Sequence, residues 1–266
     1  MSTTLFPGTA LVTGAASGIG RSVTFSFAKE GCQNLVICDT NEEGLQDTQA
    51  QILAAYPSTE VMSMVVDVSQ EDQVQKVVSE AARRFHRIDY AVNVAGIFGE
   101  SGRSTELSTA GFDQINNVNY RGCWLCGRAE LTQMLKQEPL ATHDGRPGNR
   151  GSIVHIASQL GITSRSNAPA YCASKAAIIS LTKSDAIDYS QDNIRINCVC
   201  PGVIDTPLTS HPPERKALLR PAIAIAPMNR MGTAQEVADC VLFLCSSKAT
   251  FVQGAAFVVD GGYTII

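Results

Sequence analysis

The sequence predicts a single α/β domain over residues 1–266, built on a doubly wound, seven-stranded parallel sheet with helices on both faces. Short apolar runs alternate with helix-length amphipathic segments almost from end to end, a pattern typical of such sheets. No linker rich in Pro, Gly and Ser divides the chain. Its 266 residues are 44% hydrophobic and 17% charged, which suits one soluble domain with a sizeable core.

Seven apolar runs are predicted to form the strands of this sheet. In chain order they are TALVT at 9–13, NLVIC at 34–38, VMSMVV at 61–66, DYAVN at 89–93, SIVHIA at 152–157, IRINCVC at 194–200 and AAFVV at 255–259. The amphipathic stretches between them, such as RSVTFSFAKEG, VQKVVSEAARRF and AQEVADCVLFLCSS, are predicted helices. Two segments are predicted to be irregular: a surface loop at 139–150 and a Pro-rich, apolar region at 203–232.

The charge and the chain ends exclude several classes of partner. The formal net charge of -4 gives no electrostatic reason to expect nucleic acid or an anionic membrane. No basic residue precedes Arg21, which argues against a secretory signal or a transit peptide. No apolar run approaches the roughly 18 residues of a membrane span. The C-terminus, GGYTII, matches neither a peroxisomal nor an ER-retention tail. A reducing, cytoplasmic setting is predicted from the nine cysteines.

Nine cysteines are scattered through apolar segments, and this odd number argues against a secreted disulfide scaffold. Cys123 and Cys126 form a C-x-x-C, for which a redox pair or half of a zinc site is one interpretation. Buried small residues are the favoured interpretation. Trp124 and Leu125 lie between the two cysteines on a predicted helix, and no second Cys/His pair follows at zinc-finger spacing.

Two further cysteines and one histidine lie inside predicted strands. Cys198 and Cys200 alternate along the sixth strand and are also interpreted as buried small residues. His155 lies in an otherwise apolar strand. It is interpreted as a core residue with its hydrogen bonds satisfied rather than as a catalyst.

A glycine-rich turn, T-G-A-A-S-G-I-G at 13–20, directly follows the first predicted strand. Glycines are needed where a strand turns sharply into a helix and the backbone approaches a pyrophosphate at the helix N-terminus. Asp39 ends the second strand, where its carboxylate can bond the adenosine ribose hydroxyls and repel a 2′-phosphate. The following residues, Thr40 and Asn41, supply no Arg for such a phosphate. The sequence therefore favours NAD(H) over NADP(H), with a helix-capping Asp39 as the structural alternative.

Tyr171 and Lys175 lie four positions apart in the stretch YCASK, so on a helix they share one face. Taken by themselves, these two side chains could simply pack together on the helix, or they could act as an acid–base pair in catalysis. Ser158 ends the fifth predicted strand, and ligands of open α/β sheets bind outside the carboxyl ends of the strands. A free Tyr, with a pKa of about 10, is a poor base at neutral pH, whereas a nearby ammonium lowers that pKa. Together these residues favour an acid–base site.

The motifs T-G-x-x-x-G-x-G at 13–20 and Y-x-x-x-K at 171–175 together resemble the short-chain dehydrogenase/reductase family. Further motifs of that family follow in order: N-V-A-G at 93–96, V-N at 118–119, Ser158, P-G-V-I-D-T at 201–206 and V-D-G-G at 259–262. Val94 departs from the family, which usually has a second Asn there in a mostly structural hydrogen-bonding role. The resemblance covers essentially the whole chain and implies a Rossmann-type dehydrogenase domain.

The resemblance assigns catalytic roles to four side chains. Tyr171 is expected to act as general acid/base at the substrate oxygen, which Ser158 positions. Lys175 is expected to tune Tyr171 and to hold the nicotinamide ribose. Asn119 is expected to support a water that relays protons from Lys175 to solvent.

The resemblance also assigns a cofactor-binding set. Asp67 is expected to contact the adenine, and residues of the 93–96 segment are expected to line the adenosine ribose side. The Ile204 backbone and Thr206 are expected to meet the nicotinamide carboxamide. The full set is Gly14, Ser17, Gly18, Ile19, Gly20, Asp39, Asp67, Val68, Asn93, Ala95, Gly96, Tyr171, Lys175, Pro201, Gly202, Ile204 and Thr206.

Two stretches are expected to wall the substrate: residues 159–168, and a lid at about 205–228 that is mobile in the family. Arg215, Lys216 and Arg220 are interpreted as the solvated surface of the lid rather than as a carboxylate clamp. An apolar lid predicts a hydrophobic, cyclic secondary alcohol or ketone, such as a terpenoid, steroid-like or polyketide metabolite. The apolar lid residues are Leu208, Leu218, Leu219, Ile223, Ile225 and Met228.

The predicted function is NAD(H)-dependent interconversion of such an alcohol and its ketone. The same site could instead serve a hydride-mediated isomerase or a scaffold-rearranging enzyme. The intact catalytic set disfavours a third alternative, a non-catalytic cofactor-sensing binding protein. The cysteine-rich composition and the run RPGNRGSIV at 146–154 resemble fungal members of secondary metabolism, and members of the family are commonly tetramers, so a homo-oligomer (tetramer or dimer) is expected.

Overall fold

Seven parallel strands form the central sheet of the computed structural model, which describes residues 4–210 and 218–266. The strands are β1 (Thr9–Thr13), β2 (Asn34–Asp39), β3 (Glu60–Val65), β4 (Tyr90–Asn93), β5 (Gly151–Ile156), β6 (Ile194–Pro201) and β7 (Ala256–Val259). Their order across the sheet is β3-β2-β1-β4-β5-β6-β7. The predicted fold class is confirmed, and each predicted strand agrees with an observed one to within one residue at either end.

Helices cover both faces of this sheet. They are α1 (Gly18–Lys29), α2 (Glu42–Ala55), α3 (Glu71–Phe85), α4 (Thr109–Asn116), α5 (Cys123–Met134), α6 (Pro169–Tyr189) and α7 (Ala234–Cys245). A π-helical turn, Asn117–Gly122, joins α4 to α5 without a break in the helix. Among the described residues, no helix combines the length and apolar character needed to cross a membrane.

The strands are apolar throughout because both faces of the sheet are buried. Neighbouring residues of β1 show this: Leu11 packs into the core under α3 and α5, whereas Val12 packs into the core under α1 and α7. On the second face an aromatic cluster closes the amino end of the sheet, with the rings of Phe6, Phe27 and Tyr90 in mutual contact. Two packed cores therefore hold the strand ends in fixed relative positions.

The two predicted irregular segments differ in structure. Residues 139–150 form a loop without helix or strand, as predicted. The 203–232 region carries two-residue strands, Ile204–Asp205 and Gly232–Thr233, that pair with each other, and the short helices Pro207–Ser210 and Arg220–Ile225. Arg215 and Lys216 of the predicted lid lie outside the described residues, whereas Arg220 is exposed, as expected of a solvated surface.

Candidate active site

The sheet order changes direction at β1, because the chain passes from β3 at one edge to β4 on the other side of β1. Ligands of open α/β sheets bind at such a switch point, beyond the carboxyl ends of the strands. A cleft of about 480 Å³ opens there, a volume suited to a small-molecule cofactor. Residues that follow six successive strands line it, including Gly14, Asp39, Asp67, Gly96, Ser158 and Pro201.

The glycine-rich turn brings the backbone to the floor of this cleft. Gly14 and Gly18 have φ angles of 67° and 52°, values that glycine adopts without steric cost. A Cβ on Gly20 would lie 2.1 Å from the carbonyl oxygen of Gly14, so only glycine fits at this first turn of α1. Ser17 is the N-cap residue of α1, whose N-terminus therefore faces the cleft. A pyrophosphate is a suitable ligand for such a helix end.

Asp39 connects the end of β2 to the glycine-rich turn. Its carboxylate accepts one hydrogen bond from the Ala16 backbone N–H at 3.1 Å and another from the Asn41 backbone N–H at 3.0 Å. Asn41, not Asp39, caps α2, because the Asn41 side chain accepts a hydrogen bond from the Gly44 N–H. Asp39 thus faces the cleft, and the helix-capping alternative does not apply.

Ser158, Tyr171 and Lys175 meet at the other end of the cleft. Ser158 follows β5 and is 7% exposed, and its hydroxyl accepts a hydrogen bond from the Leu160 N–H at 3.1 Å. Tyr171 lies in the first turn of α6, with Lys175 one turn later. The Lys175 ammonium donates to the Ile156 carbonyl at 2.8 Å and lies 5.8 Å from the centre of the Tyr171 ring. The three predicted side chains are therefore brought together around one point.

Burial is the main influence on the pKa values of Lys175 and Tyr171. It lowers the pKa of Lys175 to about 8. It also raises the pKa of Tyr171 above its ordinary value, although the Ser158 hydroxyl and the Arg165 charge act in the opposite direction. The net direction is therefore opposite to the lowering expected from a nearby ammonium, because the desolvation of the phenol outweighs the charges near it.

Asn119 lies beneath the cleft rather than along it. It occupies the π-helical turn, is 1% exposed, and uses both ends of its amide on Ile97: the oxygen accepts from the Ile97 N–H at 2.8 Å, and the nitrogen donates to the Ile97 carbonyl at 2.9 Å. The nitrogen also lies 3.2 Å from the Ser174 hydroxyl. Asn119 therefore fixes the loop after β4 against α6, the helix that carries Tyr171.

Asn93 is the one predicted cofactor-binding residue that does not line the cleft. Its side chain turns into the core and donates to the Glu130 carboxyl at 2.9 Å, and it lies 3.3 Å from Nδ1 of His155. The Asn93 side chain is therefore directed away from the cleft and cannot supply the predicted contact with the ribose side. The reason is that Glu130, from α5, offers a buried acceptor on the opposite side of the strand end.

His155 is buried, as predicted, but its hydrogen bonds are not all satisfied. The Cys123 sulfur lies 3.2 Å from Nδ1, and Nε2 has no partner in the described part of the chain. Burial lowers the pKa of His155 to about 4 and raises that of Glu130 to about 7. Cys123 and Cys126 are both buried and free, and they pack into different hydrophobic clusters, as small core residues do.

The segment after β6 crosses above the glycine-rich turn. Pro201, Gly202, Ile204 and Thr206 all line the cleft there. A Cβ on Gly18 would lie 3.2 Å from the Thr206 side chain, so the two segments are in close contact. All the remaining predicted cofactor-binding residues also lie along the cleft: Ser17, Ile19, Val68 and Ala95. A long, glycine-floored cleft with a carboxylate at one end and a phenol at the other fits an extended dinucleotide.

A family model described as enoyl-(acyl carrier protein) reductase matches residues 14–264. The chain belongs to the short-chain dehydrogenase/reductase family. It is 36% identical to the short-chain dehydrogenase fogB of Aspergillus ruber over 97% of both chains. It is 38% identical to 2-(R)-hydroxypropyl-CoM dehydrogenase of Xanthobacter autotrophicus over 97% of this chain and 98% of that one. As a short-chain dehydrogenase/reductase it is an oxidoreductase, and the family uses nicotinamide cofactors.

Solved structures of other short-chain dehydrogenases/reductases are similar in fold. The crystal structure of levodione reductase matches with a TM-score of 0.88 at 34% identity, over 97% of this chain and 98% of that chain. A short-chain type dehydrogenase/reductase from Mycobacterium marinum matches with a TM-score of 0.88 at 30% identity, over 99% and 98% of the two chains. The seven-stranded architecture is thus that of the family.

Three residues near the site of this short-chain dehydrogenase/reductase were not singled out in the sequence. The Thr13 hydroxyl accepts hydrogen bonds from the N–H groups of Val94 and Ala95 at 3.0 and 3.1 Å, which fastens the end of β1 to the loop after β4. The Phe98 ring packs on that of Tyr171 at 4.7 Å between centroids, and the Arg165 guanidinium lies 4.6 Å above Phe98. Thr13 stands next to Gly14 and could have been found from the motif, whereas the Phe98 contacts depend on the fold.

Proposed function

We propose that this protein is an NAD(H)-dependent oxidoreductase that interconverts a secondary alcohol and a ketone on a hydrophobic, cyclic metabolite. The observation that carries the proposal is the meeting of Ser158, Tyr171 and Lys175 at one end of the glycine-floored cleft. A purely binding protein has no use for this acid–base set.

Tyr171 acts as the general acid/base at the substrate oxygen. In reduction its phenol gives a proton to the carbonyl oxygen, and in oxidation its phenolate removes the proton of the hydroxyl. The hydroxyl of Ser158 holds the same oxygen. A nicotinamide cofactor in the cleft supplies or accepts the hydride. The Lys175 ammonium, held by the Ile156 carbonyl, stabilises the phenolate and would hold the ribose of a bound nicotinamide cofactor.

Protons reach Tyr171 through Lys175 and a water on the solvent side. The Asn119 amide is already engaged with Ile97 and Ser174. This side chain therefore positions the loop after β4 and helix α6, and the relay water would have to be held by other groups.

Two features of the adenosine end support NAD(H) over NADP(H). Asp39 places a carboxylate in the cleft, where it would repel a 2′-phosphate. Among the described residues lining the cleft, Lys175 is the only cation, and it lies at the nicotinamide end. Arg21, on the first turn of α1, is paired with Asp47 at 2.8 Å and does not line the cleft.

An apolar wall beside Tyr171 supports a hydrophobic substrate. Leu160, Ala168 and Cys172 form a small buried cluster against which Phe98 and Tyr171 pack. In the lid region Leu208 lines the cleft, and the apolar side chains of Ile225 and Met228 are exposed. Among the relatives are a reductase named for a dione and a dehydrogenase named for a 2-hydroxypropyl group, which agrees with ketone and alcohol chemistry.

The protein is further proposed to act as a cytoplasmic homo-oligomer, a tetramer or a dimer. Large apolar side chains are exposed on α5, on α6 and near the C-terminus, as expected of surfaces that pair with other copies. They include Trp124, Leu135, Ile187, Phe251 and Val258.

The proposal is tested with Tyr171→Phe and, as a matched control on the same helix, Tyr189→Phe. Purified proteins are titrated with NADH and with NADPH by calorimetry, and a panel of cyclic secondary alcohols is screened by the absorbance of NADH. We expect tighter NADH than NADPH binding in all three proteins, and a loss of turnover of about 10²- to 10⁴-fold in Tyr171→Phe alone. Near-normal turnover in Tyr171→Phe would contradict the catalytic assignment. A rearranged product without net NADH formation would favour an isomerase instead.

A further inference from the structure

We propose that Arg165 and Arg103 form a subsite for a carboxylate of the substrate, so that this enzyme acts on hydroxy or keto acids with an apolar body. This inference rests on the proposed function and refines its substrate class. The subsite is a depression of about 510 Å³ beside the start of α6. Its lining includes both arginines, the hydroxyl-bearing Ser104, Thr163 and Ser164, and the α6 residues Cys172 and Ala176.

A continuous stack links Arg165 to the reacting phenol. The Arg165 guanidinium lies 4.6 Å above the Phe98 ring, and that ring lies 4.7 Å from the Tyr171 ring at an interplanar angle of 33°. The Arg165 charge is close enough to act on Tyr171, where it opposes in part the rise in the pKa of the phenol that burial causes. Phe98 thus lies between the guanidinium and the phenol, and the proposed substrate extends from Tyr171 past this ring to Arg165.

The charge of Arg165 is not compensated within the described part of the chain. Its Nε atom is buried and has no hydrogen-bond partner, which is costly for a charged group. No ion pair of Arg165 or Arg103 with a carboxylate is present there, whereas most described arginines pair with an acid or bond backbone carbonyls, as Arg87 does with Asp89. Stacking on Phe98 holds the guanidinium in place and leaves its outer N–H groups for a ligand.

The surroundings of the two arginines favour an anion. None of the residues that line the depression is acidic. The two acids three residues from Arg103 do not pair with its guanidinium: Glu106 accepts from the Arg103 backbone N–H at 2.8 Å, and Glu100 accepts from the Ser108 hydroxyl at 2.7 Å. Guanidinium groups match a carboxylate in charge and in planar geometry. A carboxylate held here would direct the apolar body of the substrate along Phe98 and Leu160 towards Tyr171.

The test uses a matched pair of probes, cyclohexylacetate and cyclohexylacetamide, titrated by calorimetry into protein saturated with NADH. The two probes differ in charge and share the apolar body. We expect the carboxylate to bind the unaltered protein about tenfold to hundredfold more tightly than the amide, the range for a charge-assisted contact. Arg165→Gln should remove this advantage and leave the affinity for the amide unchanged. Arg103→Gln should reduce it, and Arg83→Gln, which alters an exposed arginine on α3, should have no effect.

Equal affinities for the two probes in the unaltered protein would overturn the subsite. So would a carboxylate advantage that survives both Arg165→Gln and Arg103→Gln, or an absence of carboxylate binding. NADH titration of the same proteins separates this failure from that of the proposed function. If NADH binds normally while no carboxylate advantage exists, only the subsite is wrong; if NADH does not bind, the proposed function itself is wrong.

Discussion

The buried carboxyl of Glu130 predicts a pH dependence of stability that one substitution should remove. Glu130 is fully buried, and burial raises its pKa from an ordinary 4.5 to about 7. A carboxyl whose pKa is raised on folding stabilises the folded state fully below its unfolded pKa, and this stabilisation is lost as the pH rises through about 7. The shift corresponds to about 3 kcal/mol between pH 4.5 and pH 8. Glu130→Gln should therefore unfold at higher urea concentration than the unaltered protein at pH 8, but not at pH 5.

The assay is urea denaturation at pH 5 and pH 8, at one protein concentration and without cofactor. The quantity compared is the change in unfolding free energy caused by Glu130→Gln at each pH. We expect it to be about 2.5 kcal/mol more favourable at pH 8 than at pH 5, because the unfolded carboxyl is already partly ionised at pH 5. The control is Glu80→Gln, which alters a half-exposed carboxylate paired with Arg83 on the surface of α3 and should show no such difference. The pKa of His155 is lowered to about 4, so its contribution to folding stability is lost as the pH falls below 6.5. Because His155 is present in both proteins, this effect cancels in the comparison. Equal effects of Glu130→Gln at both pH values would refute the reasoning.

Two predictions concern the cofactor end of the cleft. Asp39→Ala should narrow the preference for NADH over NADPH several-fold in calorimetric titrations, because it removes the carboxylate that repels a 2′-phosphate; an unchanged ratio would mean that another group reads the ribose. Asp39→Asn is the control variant: its amide oxygen can still accept the hydrogen bond from the Ala16 N–H, but the side chain carries no charge. Gly20→Ala should weaken NADH binding by tenfold or more, because its Cβ would lie 2.1 Å from the Gly14 oxygen and must displace the turn. Gly127→Ala, whose Cβ would lie 3.4 Å from the His155 ring, should leave NADH affinity unchanged, and equal losses in both variants would contradict a local effect.

Much of the fold and part of the site are predictable from the sequence because the deciding signals are local. An apolar run bounded by polar segments marks a strand wherever both faces of a sheet are buried, so all seven strands were placed correctly. The glycine-rich turn is equally local, because the requirement at Gly20 comes from the backbone of Gly14 six residues earlier.

The rest depends on contacts between distant segments. The direction of the Asn93 side chain is set by Glu130, which lies 37 residues away on a helix under the sheet. The pKa of Tyr171 depends on how deeply the fold buries the phenol, and this burial cannot be deduced from the spacing of the YxxxK motif. Phe98 and Arg165 belong to separate loops, and those loops are joined by the hydrogen bond from the Gly102 N–H to the Asn167 carbonyl at 3.1 Å.

The cleft is bordered by residues from Gly14 to Thr209, with contributions from the ends of six strands. No short fragment of the chain carries enough of this border to bind a dinucleotide, so binding reports on the whole domain. A ligand of the folded state alone, at a hundredfold excess over its dissociation constant, stabilises that state by about 2.7 kcal/mol. The amount of this enzyme that survives proteolysis should therefore follow the supply of its cofactor. A cell that depletes the nucleotide would lose the protein as well as its activity.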